Sequence, residues 1–190
     1  MATTLVPPFS ARIISPSTDG TITRDLYSTD ATATNRWYKG QLLKLASGVI
    51  VPVLAGNGTT TIAGAAEIDT DDTGTAVDLF LALEDRLTAA AGKVAVRKIT
   101  PDTIFEAPLL DGGTGPAGAT EAIIGTKYEL WQLITSADWA PDQNGTTYPV
   151  VEIVKVQSQT TPVTEPSWMG LTDTDYPVVQ FKFLATVCKA

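Results

Sequence analysis

The stretch from Trp37 to Ile68 reads WYKGQLLKLASGVIVPVLAGNGTTTIAGAAEI, three short apolar runs separated by Ser-Gly and Gly-Asn-Gly. Runs of this length, rich in Leu, Val and Ile and bounded by glycine turns, predict adjacent antiparallel strands. Pro52 has no backbone donor, which puts the run from Val49 to Leu54 at a sheet edge or at a bend. The next strand is expected from Thr60 to Ile68, with Asp69-Thr-Asp-Asp-Thr-Gly74 as a turn after it.

Residues 76–91 fit two periods. Val77, Leu79, Leu81 and Leu83 alternate as in a strand, whereas Phe80, Leu83, Leu87 and Ala90 match helical spacing with Gly92 as a stop. The favoured reading is a strand to Leu83, a charged turn at Glu84-Asp-Arg86 with room for one short helix, and a strand from Val94 to Ile99. Beyond Pro101, strands are expected at Thr103–Glu106, Glu121–Ile124, Tyr128–Ile134, Pro149–Gln157 and Val178–Val187. Val150, Ile153, Val154, Val156, Phe181, Phe183 and Leu184 are the candidate core there, and Trp131 joins them. The glycine-rich run Asp111 to Gly118 and the Pro/Thr-rich excursion from Gln159 to Pro177 read as surface loops.

The first 36 residues lack this periodicity. Leu5-Val-Pro-Pro-Phe9 is apolar, but its two prolines keep it extended and out of any central strand. Phe9, Ile13, Ile14, Leu26 and Tyr27 are too apolar to leave in water, so residues 1–36 are expected to form an extended arm that orders on a neighbouring subunit, with Leu5, Val6, Pro7, Pro8, Phe9, Ile13 and Ile14 as its contact residues. Residues 37–190 form the body, an all-β antiparallel barrel or sandwich in which a composition break near 100–120 permits two lobes.

Composition narrows the function. The 190 residues carry a net charge of −8 and no cluster of Lys and Arg able to neutralise phosphates, so no nucleic-acid partner is expected. No apolar run approaches the length of a membrane span and Met1-Ala-Thr-Thr has no basic signal region, so neither a membrane nor export is expected. The chain has no histidine and one cysteine, Cys188. Histidine-based triads, His-ligated metals and thiolate zinc sites are thereby excluded, and no cofactor is expected. Asp69-Thr-Asp-Asp-Thr-Gly74 opens like a calcium loop, but its twelfth position is Phe80 where a bidentate Glu belongs. Gly112 to Gly118 lacks the Gly-Lys-Ser/Thr ending of a phosphate loop. Beside a purely structural role, two others stay open: a receptor- or carbohydrate-binding module using Trp139 and Trp168, and a carboxylate hydrolase using an acid such as Glu106. Trp168 is the aromatic expected to reach a partner.

Tyr38-Lys-Gly-Gln-Leu-Leu-Lys44, Ile62-Ala-Gly-Ala-Ala66, Val94-Ala-Val-Arg-Lys-Ile-Thr-Pro-Asp-Thr-Ile-Phe-Glu106, Gly125-Thr-Lys-Tyr128 and Phe181-Lys-Phe-Leu-Ala-Thr186 occur in an order that resembles the head decoration (cement) proteins of tailed double-stranded DNA bacteriophages. The likeness covers most of the chain from residue 36 and leaves the first 35 residues unmatched. It implies a small, non-enzymatic β protein made in the host cytoplasm. Such a protein binds the outer surface of the virion, with the major capsid protein and copies of itself, as a homotrimer, for partners. The segment from Leu5 to Tyr27 would then lie across the shell.

Overall fold

A computed structural model describes residues 11–15, 25–29, 31, 37–53, 61–62, 76–87, 90–112, 115–116, 120–132, 139–146, 149–157 and 177–190. These residues are all-β, in two largely antiparallel sheets, and the segment Glu121–Ile124, expected as a strand, is instead a 3-10 turn at Glu121–Ile123 closed by Ile123 N–H on Thr120 O and Ile124 N–H on Glu121 O. No α-helix occurs among them, and the charged turn after Ala82 is a bend followed by a single bridge at Arg86.

The smaller sheet contains five strands: β2 (Asp25–Thr29), β3 (Leu42–Ala46), β4 (Val49–Pro52), β6 (Leu79–Ala82) and β7 (Gly92–Ile99). Their spatial order is β2-β7-β6-β3-β4. Ala46 pairs with Val49 across Ser47-Gly48. Both turn residues have positive φ, 48° and 83°, the signature of the tight hairpin turn whose twist matches the strands. β4 is an outer strand, which is where Pro52 can sit without breaking a ladder. The two outer strands, β2 and β4, come close to one another, so the sheet curls towards a small barrel. Trp37, Leu43, Ile50, Phe80, Ala82, Val94 and Val96 fill its inside, with Tyr27 packed on Phe80 at 4.7 Å between ring centres.

The larger sheet holds nine strands: β1 (Arg12–Ser15), β5 (Thr61–Ile62), β8 (Ile104–Pro108), β9 (Leu110–Asp111), β10 (Gly115–Pro116), β11 (Lys127–Gln132), β12 (Trp139–Asp142), β13 (Val151–Val156) and β14 (Val178–Phe183). They run β1-β8-β14-β13-β11-β12-β9-β10, with β5 joined to β11. The expected core residues Val150, Ile153, Phe181 and Phe183 are fully buried here, and Trp131 is buried as well. Val154 is only half-buried. The register steps from Ile153↔Phe181 to Lys155↔Gln180, which makes Val154 the extra residue of a β-bulge and turns it away from the ladder.

The chain leaves the small sheet at Ile99 and enters the large one at Ile104. Thr100-Pro-Asp-Thr103 makes this crossing as a turn, closed by Thr103 N–H donating to Thr100 O at 2.9 Å and Thr100 N–H donating to Thr103 Oγ1 at 3.0 Å. This turn is a change of sheet, although β1 and β5, which precede it, already belong to the large sheet. The two halves are layers of one body, because Leu42, Val53, Val77, Leu79 and Ile99 pack into the same core as Phe105, Tyr128, Trp139, Phe181 and Phe183. Alternation explains the sharing: Leu42 and Leu79 face the large sheet, while Leu43 and Phe80 face the barrel interior.

The arm expected over residues 1–36 is corrected in part. Arg12↔Glu106 and Ile13↔Phe105 pair β1 with β8, and Asp25↔Val96 to Thr29↔Gly92 pair β2 with β7. Both segments thus belong to the body's own sheets. Ile13 and Ile14 are half-buried, and Ile13 packs on the shared core. An apolar strand next to a sheet edge gains a ladder and burial locally, without waiting for a neighbouring subunit. Leu5, Val6, Pro7, Pro8 and Phe9 lie outside the described residues.

Candidate interaction surface

Catalysis needs ionisable groups that converge where a substrate can reach them. The described acids that are buried instead hold strands together. Glu106 lies in β8 between Arg12 of β1 and Gln180 of β14 in register, and its carboxylate accepts a hydrogen bond from Gln157 Nε2. Asp142 Oδ1 accepts from Gly112 N at 2.9 Å and Asn144 N at 3.1 Å, which ties the Gly112 turn to the turn after β12. Glu129 stands opposite Asp142 across the β11–β12 ladder, pressed against Gly145, whose missing side chain makes the room. A Cβ at Gly145 would come 2.5 Å from Glu129 Cβ. Among the described residues no group of three or more acids and thiols is placed to hold a metal ion. The calcium-like segment 69–74 lies outside them.

The alternative reading as a binding module uses Trp139 at its surface, and the structure rules that use out. Its ring is 0% exposed and stands 5.1 Å from Phe105, 6.1 Å from Phe181 and 6.0 Å from Phe183, edge-on or tilted to each. Its indole N–H donates to Gly40 O at 2.9 Å. That bond joins the large sheet to the Tyr38–Gln41 turn of the small one, so the residue fastens the layers and offers nothing to a glycan. Composition around Trp139 gave no hint of this, because the aromatic partners come from strands distant in sequence. Trp168 lies outside the described residues.

Cys188 is buried in the segment that follows β14. It forms a parallel bridge with Val77 of the small-sheet half, and its S–H donates to Ile99 O at 3.3 Å. Burial pushes its thiol up to about 12 from the ordinary 9.0. A raised acid is neutral in the fold, so its stabilising effect is complete below pH 9 and fades as pH climbs towards 12. Native protein at pH 8 is expected to resist iodoacetamide while unfolded protein reacts, read by intact mass. The melting temperature should also fall from pH 9 upward more steeply than in Cys188→Ala.

Contact with another macromolecule has better candidates. Leu26 (59% exposed), Leu87, Ile124 and Tyr38 are the large apolar side chains presented to solvent among the described residues. Tyr38 and Leu87 flank the Trp37↔Arg86 bridge, in which the Arg86 guanidinium sits 4.9 Å from the Trp37 ring centre. By pleat alternation the neighbours of two inward residues face outward. Leu26 lies on β2, whose outer side approaches β4, while β1 and β10 are the two outer described strands of the large sheet. Outer strands can add a partner's strand through main-chain hydrogen bonds. No described helix is long and apolar enough to cross a membrane. The chain matches no protein-family model, no curated protein and no solved structure.

Proposed function

We propose that this chain is a structural virion protein that binds the outer surface of a tailed-phage capsid and stabilises it, acting as a homotrimer on the major capsid protein. The observation that supports this most is the use of its buried polar groups. Glu106, Asp142 and Trp139 all spend their polar atoms on bonds that join strands and turns of the fold, while the described surface offers outer strands and scattered apolar side chains suited to adhesion. The segments that resemble cement proteins also coincide with the frame of the fold. Tyr38–Lys44 makes a turn and β3, Val94–Glu106 carries the crossing between sheets, and Phe181–Phe183 lies in the shared core. Many weak copies on a repeating shell add up to strong binding without a deep pocket.

The test is co-sedimentation with expanded phage heads, combined with the solution mass. Full-length protein should travel with the heads and show a trimer mass; free protein at saturating heads would overturn the reading. A variant lacking residues 1–10 should keep its fold and lose decoration. Truncation must stop before Ala11, because cutting to residue 25 removes β1 from the sheet and confounds binding with folding. Undiminished decoration by the shorter chain would take residues 1–10 out of the mechanism.

A further inference from the structure

Asn144 is followed by Gly145, the pairing in which a side-chain amide is most open to attack by the next backbone nitrogen, because glycine has no Cβ to shield that nitrogen. Asn144 is also exposed, so water reaches its amide. Local chemistry makes this residue reactive. The geometry of the fold holds it back.

Asp142-Gln-Asn-Gly145 is a β-turn closed by Gly145 N–H donating to Asp142 O at 3.0 Å. Neither Gln143 nor Asn144 has a positive φ, which with this hydrogen bond selects type I, a turn that favours Asp at its first position and Gly at its last. At the third position of that turn ψ is about 0°, so Gly145 N eclipses the backbone nitrogen of Asn144. Attack on Asn144 Cγ needs Gly145 N to eclipse Asn144 Cβ instead, so that a small ring can close. Further bonds oppose that rotation. Asn144 N–H and Gly112 N–H both donate to Asp142 Oδ1, at 3.1 Å and 2.9 Å. Gln143 N–H donates to Leu110 O at 2.8 Å, and Glu129 N–H donates to Gly145 O at 2.7 Å. Turning Asn144 into the reactive shape therefore means breaking the corner that joins β9, β11 and β12.

We infer that Asn144 is a latent deamidation site, held closed by the β11–β12 corner and released when that corner opens. On opening, Gly145 N bonds to Asn144 Cγ and gives up its proton, the Cγ–Nδ2 bond breaks, and Nδ2 leaves as ammonia. Water then adds to either carbonyl of the cyclic imide and leaves aspartate or isoaspartate at position 144. The product does not suit the corner it came from. Isoaspartate adds a methylene to the backbone just before Gly145, where even a Cβ would stand 2.5 Å from Glu129 Cβ. Either product adds a negative charge next to the buried Asp142 and Glu129. The site is independent of any role on capsids.

The test holds the full chain in mildly alkaline buffer, folded or in unfolding urea, and follows conversion at Asn144 by peptide mass mapping with isoaspartate detection. Conversion should be at least about tenfold slower in the folded protein. Equal rates in the two states, or no conversion at Asn144 in urea, would overturn the inference. Amide hydrogen exchange then ties the protection to the corner. As urea is raised below the unfolding midpoint, exchange at Gly145 and conversion at Asn144 should increase together. Conversion that stays flat while the Gly145 amide exchanges faster would overturn it as well.

Discussion

Phe105→Ala is expected to lower the unfolding free energy by about 3–5 kcal/mol, the range for deleting a large aromatic from a closed core. Phe105 is fully buried, and its ring meets Trp139 at 5.1 Å, Phe181 at 5.7 Å and Phe183 at 5.7 Å. It also follows the turn by which the chain changes sheets, so a hole there opens where the two layers join. The flanking backbone is fixed by ladders to β1 and β14, which limits how far the site can collapse. Urea unfolding followed by tryptophan fluorescence reads the change. Leu26→Ala, at a side chain left in solvent, should stay within about 0.5 kcal/mol of the parent. A loss below about 1 kcal/mol for Phe105→Ala would mean that this cluster is not the centre of the fold.

Removing residues 187–190 is the second large effect, expected to cost on the order of 3–6 kcal/mol from lost burial and hydrogen bonds. Val187 and Cys188 are buried in the shared core. Val77 N–H donates to Val187 O at 3.0 Å, and Lys189 N–H donates to Val77 O at 3.0 Å, so the segment is stitched to the small-sheet half on both sides of Cys188. Lys98 Nζ adds a bond to Ala190 O at 3.0 Å and an ion pair to Asp78 at 3.3 Å, both near solvent. Surface pairs of that kind contribute little, so removing Ala190 alone should change stability by less than about 1 kcal/mol. Thermal unfolding of the two truncations separates the buried stitches from the exposed ones. Equal, small losses for both would show that the segment rests on the core without supporting it.

Read as a strand to Leu83 and another from Val94, the ambiguous stretch 76–91 followed its period-two pattern, because Leu79 and Leu81 face one layer while Phe80 and Ala82 face another. A strand buried on both faces carries apolar residues at every position, and that run is what imitated a helix. The buried carboxylates were less legible. Asp in a turn and Glu in a strand look alike whether solvated or enclosed, and only the ladder puts Glu129 opposite Asp142 and Glu106 beside Gln157.

Local chemistry alone fixed β3, β4, β6, β7, β8, β11, β13 and β14, the Ser47-Gly48 hairpin and the edge position of Pro52, since alternation, turn residues and the missing proline donor act within a few residues. Tertiary structure decided the rest. It drew Ile13 and Ile14 into the body's own sheet, made Trp139 the fastener between the two layers, and stitched Cys188 to the opposite half of the molecule. Each of these depends on which distant strand becomes the neighbour, and that choice is made by burying both faces of the small sheet at once, a condition no single segment encodes.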